Sequence, residues 1–435
     1  MWFDESVFYQ IYPLGFCNCE RENDFNPHHR LDKIENHIPH MKDMGVGAVL
    51  FNPLFESERH GYDTVDFFKV DSRLGTNEEF KSLVEKLHKN GIKVVLDGVF
   101  NHVGRKFFAF EDVIRNREAS PYRYWFNIWF DGNSAYNDGF GYEGWEGHQE
   151  LVKLNLQNPD CLNHITEAIR FYINEFDIDG LRLDVCYLLP EWFLRYLREE
   201  TSKLKKDFFI VGEVIHCQNF SQHITPEKLD SITGYECFKG MVSSINTNNL
   251  FEIEYSLTRL FSSVDWALMR GKHLLNFVDN HDVIRAYTAL NDKRNIYNLY
   301  SLLYAIPGIP CIYYGSEFGA EGDKSDNDYR LRPFIDDIDK DKCRELTEHI
   351  KKLSSIRVSN RVLSYGDYSK CVLNNKYMVF KRSFENSVIF FAINIGEEEV
   401  TVYADQGEGE DLLTGNRVNL SDIKIKPFSS MIIYK

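Results

Sequence analysis

Strand and helix signals alternate along most of this chain, and that alternation restricts its fold more than any other feature. Residues 7–12 (VFYQIY) form an apolar, aromatic run ended by Pro13 and Gly15. Leu31, Ile34, Ile38, Met41 and Met44 then recur at helical spacing, with Gly45 placed to stop the run. A buried strand follows over residues 46–51. Thr76 and Glu79 form a capping box ahead of Phe80, Leu83, Val84 and Leu87, and Gly91 closes that helix before the strand VVLDGVF. Further on, GLRLDV, FFIVGEV, residues 231–233, HLLNFVDNHD and GIPCIYYGSEF read as strands, with helices around 192–197 and 295–304. Eight strand candidates alternating with helices predict a parallel (β/α)8 barrel, because each parallel strand needs a crossover and both faces of the sheet are buried. A doubly wound open sheet is the other α/β solution, but no Gly-rich phosphate fingerprint follows the first strand.

Two stretches depart from the rhythm. About fifty aromatic, Gly-rich residues follow His102, before Asn158 and Pro159 open a helix carrying Ile165, Ala168, Ile169, Tyr172 and Ile173. From about residue 364 the pattern becomes short alternating runs (YMVFKR, SVIFFAINI, EVTVYA, MIIYK) broken by Asn, Gly and Glu, which predicts a terminal antiparallel domain. The expected division is a barrel of residues 1–102 and 156–362, an insertion of 103–155 after the third strand, and a terminal β domain of 363–435.

Composition bounds the partners. Lys and Arg number 50 against 66 Asp and Glu, a formal charge of −16, which argues against nucleic acid or an anionic membrane surface. The 24 Tyr and 33 Phe suit a large core and also stacking on flat apolar faces such as sugar rings. The nine cysteines are scattered, and Cys17 and Cys19 have neither zinc-finger spacing nor a partner pair, so free thiols in a reducing compartment are expected. No signal peptide or membrane-spanning apolar run is visible, and the expected location is the cytoplasm. Oligomeric state is not legible.

GLRLDV places Arg182 and Asp184 on one face of a strand. Taken alone the stretch reads equally as a buried structural ion pair or as part of a site. Polar residues recur at the ends of other strands: Asp97 with Asn101 and His102, Glu213, and His281 with Asp282. In a barrel those ends share one rim, where barrel active sites are built. Several carboxyl groups around one pocket, without metal-ligand spacing or a Ser-His or Cys-His motif, point to glycoside hydrolysis. One carboxylate attacks the anomeric carbon and a protonated one donates to the leaving oxygen, roughly 5 to 5.5 Å apart for retention. Arg182 is expected to hold Asp184 ionised, and the apolar setting of Glu213 suits the proton donor.

DGVFNH, GLRLDV, VGEV and FVDNHD, in this order and at these spacings, resemble the four signature regions of the alpha-amylase family, glycoside hydrolase family 13. GVGAVLFNP resembles its second-strand motif, HGYDTVDF its loop with a sugar-stacking tyrosine, and GIPCIYYGSEFG its eighth strand. The resemblance implies a TIM barrel with a domain B after strand 3 and a C-terminal β-sandwich. It implies Asp184 as nucleophile, Glu213 as general acid/base and Asp282 as the third acid, with Tyr62 stacking on the sugar, Asp97 supporting the rim, and His102, Arg182 and His281 touching the sugar. Residues 326–333 resemble the family's Asp/Arg substrate-contact loop, which implies Arg332 and, in one register, Asp326.

Within the family, LVKLN, VGRKFFAFEDV and SPYRYWF look most like the cyclomaltodextrinase, maltogenic amylase and neopullulanase group, although that group usually has MPKLN and an N-terminal domain before the first strand. Asn101 stands where calcium-dependent members place a ligand; with this group's domain B no calcium or other cofactor is expected to be required. The resemblance implies a retaining α-glucosidic hydrolase acting on maltodextrins and related α-glucans, cyclodextrins or pullulan among them. The alternatives are a 4-α-glucanotransferase or other transglycosylase of the family, and a non-catalytic carbohydrate-binding relative.

Overall fold

The computed structural model of the 435-residue chain describes residues 1–216, 220–326 and 328–435. Eight parallel strands, β1 (Phe8–Ile11), β2 (Ala48–Phe51), β3 (Lys93–Gly98), β4 (Gly180–Leu183), β5 (Phe209–Gly212), β6 (Ser231–Ile232), β7 (Leu275–Asn276) and β8 (Ile309–Tyr313), form one sheet. Their spatial order is the chain order, with β8 returning to pair with β1. A parallel bridge between Thr233 and Leu275 joins β6 to β7 and closes the barrel. Residues alternate between two environments. Phe8, Ala48, Leu50, Val95, Phe209, Val211, Leu275, Ile309 and Cys311 fill the barrel interior. Tyr9, Ile11, Val49, Phe51, Val94, Leu96, Leu181, Leu183, Ile210 and Ile312 face the helical layer. Arg182, flanked by two outward leucines, therefore points inward.

The helices form where apolar spacing and caps coincide. Helix α1 (Asn77–Lys89) is opened by the expected box: Thr76 accepts from the Glu79 backbone N–H at 3.3 Å, and the Glu79 carboxylate accepts from the Thr76 N–H at 2.8 Å. Helix α2 (Pro159–Phe176) begins on an Asn158 cap and turns Phe176, Ile173, Ile169 and Ile165 to the core. The single helix expected over residues 31–44 is two short ones, Asp32–Glu35 and Ile38–Asp43. Pro39 is the physical reason: it has no N–H for the preceding turn, so the helix restarts with Pro in its first turn.

The insertion follows β3. His102–Gly104 pairs antiparallel with His148–Lys153, which also pairs with Gly144–Trp145, and Ile128–Trp129 pairs with Gly141–Tyr142. Phe107, Phe110, Val113, Trp125, Phe126, Phe140 and Tyr142 bury its interior. After the barrel, strands β9 (Asp367–Leu373), β10 (Tyr377–Phe384), β11 (Ser387–Asn394), β13 (Glu408–Asp411), β14 (Asn416–Asn419) and β16 (Ser429–Tyr434) make one antiparallel sheet in the order β9-β10-β11-β16-β13-β14. Strands β12 (Val400–Val402) and β15 (Ile423–Ile425) make a second. The large sheet uses its two faces differently. Val379, Phe390, Ala392 and Ile433 pack with Val402, Leu420, Ile423 and Ile425. Met378, Phe380, Ile389, Phe391, Ile393 and Ile432 join the core outside the barrel. Among the described residues no helix is long and apolar enough to cross a membrane, and the eight described cysteines are free thiols; Cys217 lies outside those residues.

Candidate active site

One guanidinium organises the rim. Arg182 Nη1 donates to Asp97 Oδ1 at 2.8 Å, to Asp97 Oδ2 at 2.7 Å and to Asp184 Oδ1 at 2.9 Å, while Nη2 lies 2.6 Å from Glu213 Oε1. Parallel register makes this convergence local. Arg182 stands opposite Asp97 in β3 and Val211 in β5, and the Glu213 N–H donates to the Leu183 carbonyl at 2.9 Å. Asp184 and Glu213 are thus neighbours across adjacent strand ends. The regular strand stops at Leu183, and Val185 does not continue the alternation. It adopts the left-handed conformation at φ 41°, costly for a β-branched residue, and there its N–H donates to Glu213 Oε2 at 3.0 Å. Gly212 precedes the acid because there is no room for more: a Cβ would fall 2.7 Å from Cys186 Sγ.

His281 and Asp282 arrive on a longer path. β7 is only two residues, so both stand on the loop beyond it rather than on the strand. Asp282 accepts from Arg332 Nη2 at 3.1 Å and lies 3.0 Å from His281 Nε2. Arg332 Nε also donates to the His281 carbonyl at 3.1 Å, and its guanidinium lies over the Tyr12 ring, 4.5 Å from the centroid. The rings of Tyr62 and His281 are nearly parallel, 12° apart with centroids at 5.8 Å; the Tyr62 hydroxyl meets His281 Nε2 and donates to Asp97 Oδ2 at 3.2 Å. His102 Nε2 is 3.8 Å from Asp184 Oδ2 and is buried with no hydrogen-bond partner among the described residues.

Burial disfavours the charged form of both imidazoles. It pulls each down to about 3, outweighing the nearby carboxylates. Gln10 Nε2 lies 3.0 Å from His281 Nδ1 and Asn52 Nδ2 3.3 Å from its Nε2, while Asn101 Nδ2 lies 3.1 Å from His102 Nδ1, so amide groups fix the orientation of both rings.

The acids behave differently from one another. Burial pushes Asp184 well above the usual carboxylate range against the pull of Arg182, and the charges of Glu213 and Asp97 add to the rise. Glu213 and Asp97 are also raised, again by burial first and against Arg182. The expectation that Arg182 alone keeps Asp184 ionised needs revision, because one guanidinium is shared among three carboxylates. Burial and mutual repulsion therefore disfavour simultaneous ionisation of Asp184 and Glu213. Asp282 goes the other way: burial raises it, but His281, Arg332 and Arg182 together hold it below the usual value. Two adjacent carboxyls that resist ionising together, with a third held toward the anion opposite, are the groups that general-acid and nucleophilic catalysis at one acetal carbon require.

Of the residues singled out from sequence, Asp97, Arg182, Asp184, Glu213, Tyr62, His102, His281, Asp282 and Arg332 all converge here. Asp326 does not join them: its exposed carboxylate pairs with Arg21 Nη2 at 2.6 Å, and Asp328 is the acid that approaches Arg332, at 3.9 Å. Asn101 is buried, with its side-chain Nδ2 against His102 Nδ1 and its backbone carbonyl accepting from the Leu154 N–H at 2.9 Å. Of the inserted unit's aromatic residues, Trp125 and Tyr142 are core and Trp129 is largely exposed, whereas the Trp145 ring lies 6.1 Å from that of His102.

Sequence reasoning passed over Gln10 and Asn52. Asn52 Nδ2 donates to Asp97 Oδ2 and to the Tyr62 hydroxyl, both at 3.2 Å, and its Oδ1 accepts from Gln10 Nε2 at 2.8 Å. The available signal was a polar residue inside or at the end of an otherwise apolar strand. Tyr235 was missed as well; its hydroxyl reaches Glu213 Oε1 at 3.4 Å from beyond β6, where no local pattern marks it.

Known proteins resemble the chain in both sequence and fold. Residues 10–354 match the family model described as alpha amylase, catalytic domain. The chain is 31% identical to a cyclomaltodextrinase of Thermoanaerobacter pseudethanolicus, over 99% of this chain and 78% of that protein. It is 29% identical to a maltogenic alpha-amylase of Bacillus acidopullulyticus, over 92% and 71%. Among solved structures, the ligand-free cyclic alpha-maltosyl-(1→6)-maltose hydrolase of Arthrobacter globiformis superposes with a TM-score of 0.85 at 25% identity, covering 100% of this chain and 99% of that one. With a family model spanning most of its length, a relative 31% identical over 99% of it and a matching fold, the chain belongs to the alpha-amylase family of glycoside hydrolases.

Proposed function

We propose that this enzyme cleaves α-glucosidic bonds in short α-glucans, maltodextrins, cyclodextrins or pullulan, with retention of configuration, through a covalent glycosyl-enzyme on Asp184. The observation that carries the reading is the placement of Asp184 and Glu213 on one guanidinium at adjacent strand ends. Neighbouring parallel strands lie about 4.8 Å apart, which suits the roughly 5 to 5.5 Å carboxyl separation of retaining enzymes. Glu213 protonates the leaving oxygen, then takes the proton of the incoming water; Asp184 attacks the anomeric carbon and is released in the second step. Asp282, Arg332, His281 and His102 hold the sugar's hydroxyls, and Tyr62 offers its ring face. No metal is assigned a part in this sequence.

The substrate class rests on the names of the relatives, and the intracellular setting on the Bacillus subtilis relative called intracellular maltogenic amylase, 28% identical over 91% of this chain. In this reading residues 1–102 and 156–362 form the catalytic barrel, 103–155 shape one wall of the cleft and 363–435 brace the barrel. The experiment is proton NMR of the first products from maltotriose. The α-anomer is expected to appear before mutarotation, and Asp184→Asn to lower kcat by about 10⁴-fold or more with the fold intact. First release of the β-anomer, or near-normal turnover by Asp184→Asn, overturns the mechanism. Chains longer than maltotriose with little net reducing sugar would instead identify a glucanotransferase.

A further inference from the structure

Away from the acids, a second group of ligating side chains occupies the wall between the first and last barrel strands. Tyr9 of β1 faces the helical layer, His37 and His40 sit at the start of the helix Ile38–Asp43, and Glu317 lies in the turn after β8. One ligand atom from each of His37, His40 and Glu317 falls within 4.8 Å of the others. His40 Nε2 is 2.9 Å from Glu317 Oε1, and the Tyr9 hydroxyl donates to that same oxygen at 2.6 Å while lying 3.0 Å from His37 Nε2.

Glu317 is the unusual member. It has no accessible surface, and its second oxygen, Oε2, is buried without a hydrogen-bond partner among the described residues. Within ion-pair distance, its basic neighbour among the described residues is His40, with no lysine or arginine beside it. Oε1 takes the contacts from both His40 and the Tyr9 hydroxyl and Oε2 takes none, which leaves one buried carboxylate oxygen of this cluster open to a ligand.

We propose that His37, His40 and Glu317 bind one zinc ion, with water or the Tyr9 hydroxyl completing four-coordination. Two imidazoles and one carboxylate suit a borderline-soft ion of tetrahedral preference better than calcium or magnesium, which favour oxygen sets. The side chain of His40 is 21% exposed and provides the way in. The ion would fasten the helix after β1 to the turn after β8, where the first and last barrel strands pair, and the bare oxygen of Glu317 would gain a partner.

Chelator-treated full-length enzyme is titrated with zinc in a calorimeter, and separately with cobalt(II) under visible spectroscopy. Wild type is expected to bind one equivalent of zinc, to give the d–d bands of four-coordinate cobalt, and to gain several degrees in Tm that chelator reverses. His40→Gln, at the partly exposed position, is expected to remain folded by circular dichroism, to bind zinc at least tenfold more weakly and to lose the cobalt bands. No zinc uptake by wild type, a purely six-coordinate cobalt spectrum, or unchanged binding in His40→Gln overturns the proposal. The wild-type measurements decide it even where the variant does not fold.

Discussion

Asp184 is stabilising or destabilising according to its charge. Its folded-state pKa lies above the unfolded value, so the native protein holds this proton more tightly than the unfolded chain. Stability from this group is present below the ordinary carboxylate range and is lost as pH rises toward the raised folded value. Asp184→Asn is therefore expected to raise Tm by roughly 1 to 3 °C at pH 7 to 8 and to leave it unchanged near pH 4, by calorimetry. An unchanged Tm at pH 7.5 would show that Arg182 offsets the burial completely. Arg182 keeps two other carboxylates in the variant, so no unpaired cation is created. At this scale Arg182 and Asp184 were legible because strand alternation places them together. The sharing of Arg182 with Asp97 and Glu213 was not, since it depends on which strands become neighbours.

The loops after β7 and β8 act as one element. Arg285, fully buried, has Nε 3.2 Å from Asp279 Oδ2, and Nη1 and Nη2 donate to the carbonyls of Leu331 at 3.1 Å and Tyr314 at 2.6 Å. Ser316 donates to Asp279 at 2.7 Å, so the segments bearing Asp282, Glu317 and Arg332 are held by one ion pair. Arg285→Met leaves Asp279 as an uncompensated buried charge and is expected to cost about 3 to 5 kcal/mol in urea unfolding, with KM for maltotriose raised. Adding Asp279→Asn should restore part of that stability; a double variant no better than the single would assign the loss to the broken carbonyl contacts instead. The capping box at Thr76 was legible because its two bonds span three residues. The failure of Asp326 to reach the site was not. A 3-10 turn over Tyr329–Leu331, entered through Asp328 at φ 68°, directs Arg332 to Asp282, and only the loop's path decides that.

At the scale of the molecule, the terminal sheet and the barrel share one apolar core. Phe391 is fully buried on the face of β11 that joins the barrel's outer layer, with its ring 5.1 Å from that of Phe380. Phe391→Ala is expected to cost about 3 to 5 kcal/mol and to lower a single thermal transition, with loss of activity following the same curve. A separate, unshifted transition for the barrel would show instead that the two unfold independently. The chain's order by itself determined the eight-strand alternation, the pairing of Arg182 with Asp184 on one face and the recurrence of acids toward the ends of several strands, because hydrophobic period and capping are local properties. Tertiary structure alone decided that β8 closes on β1, that a Gln and an Asn inside apolar runs support the acids, and that Tyr9, His37, His40 and Glu317 meet although hundreds of residues separate the first from the last. Such contacts join groups with no sequence periodicity between them, and they appear only when closure of the barrel brings its two ends together.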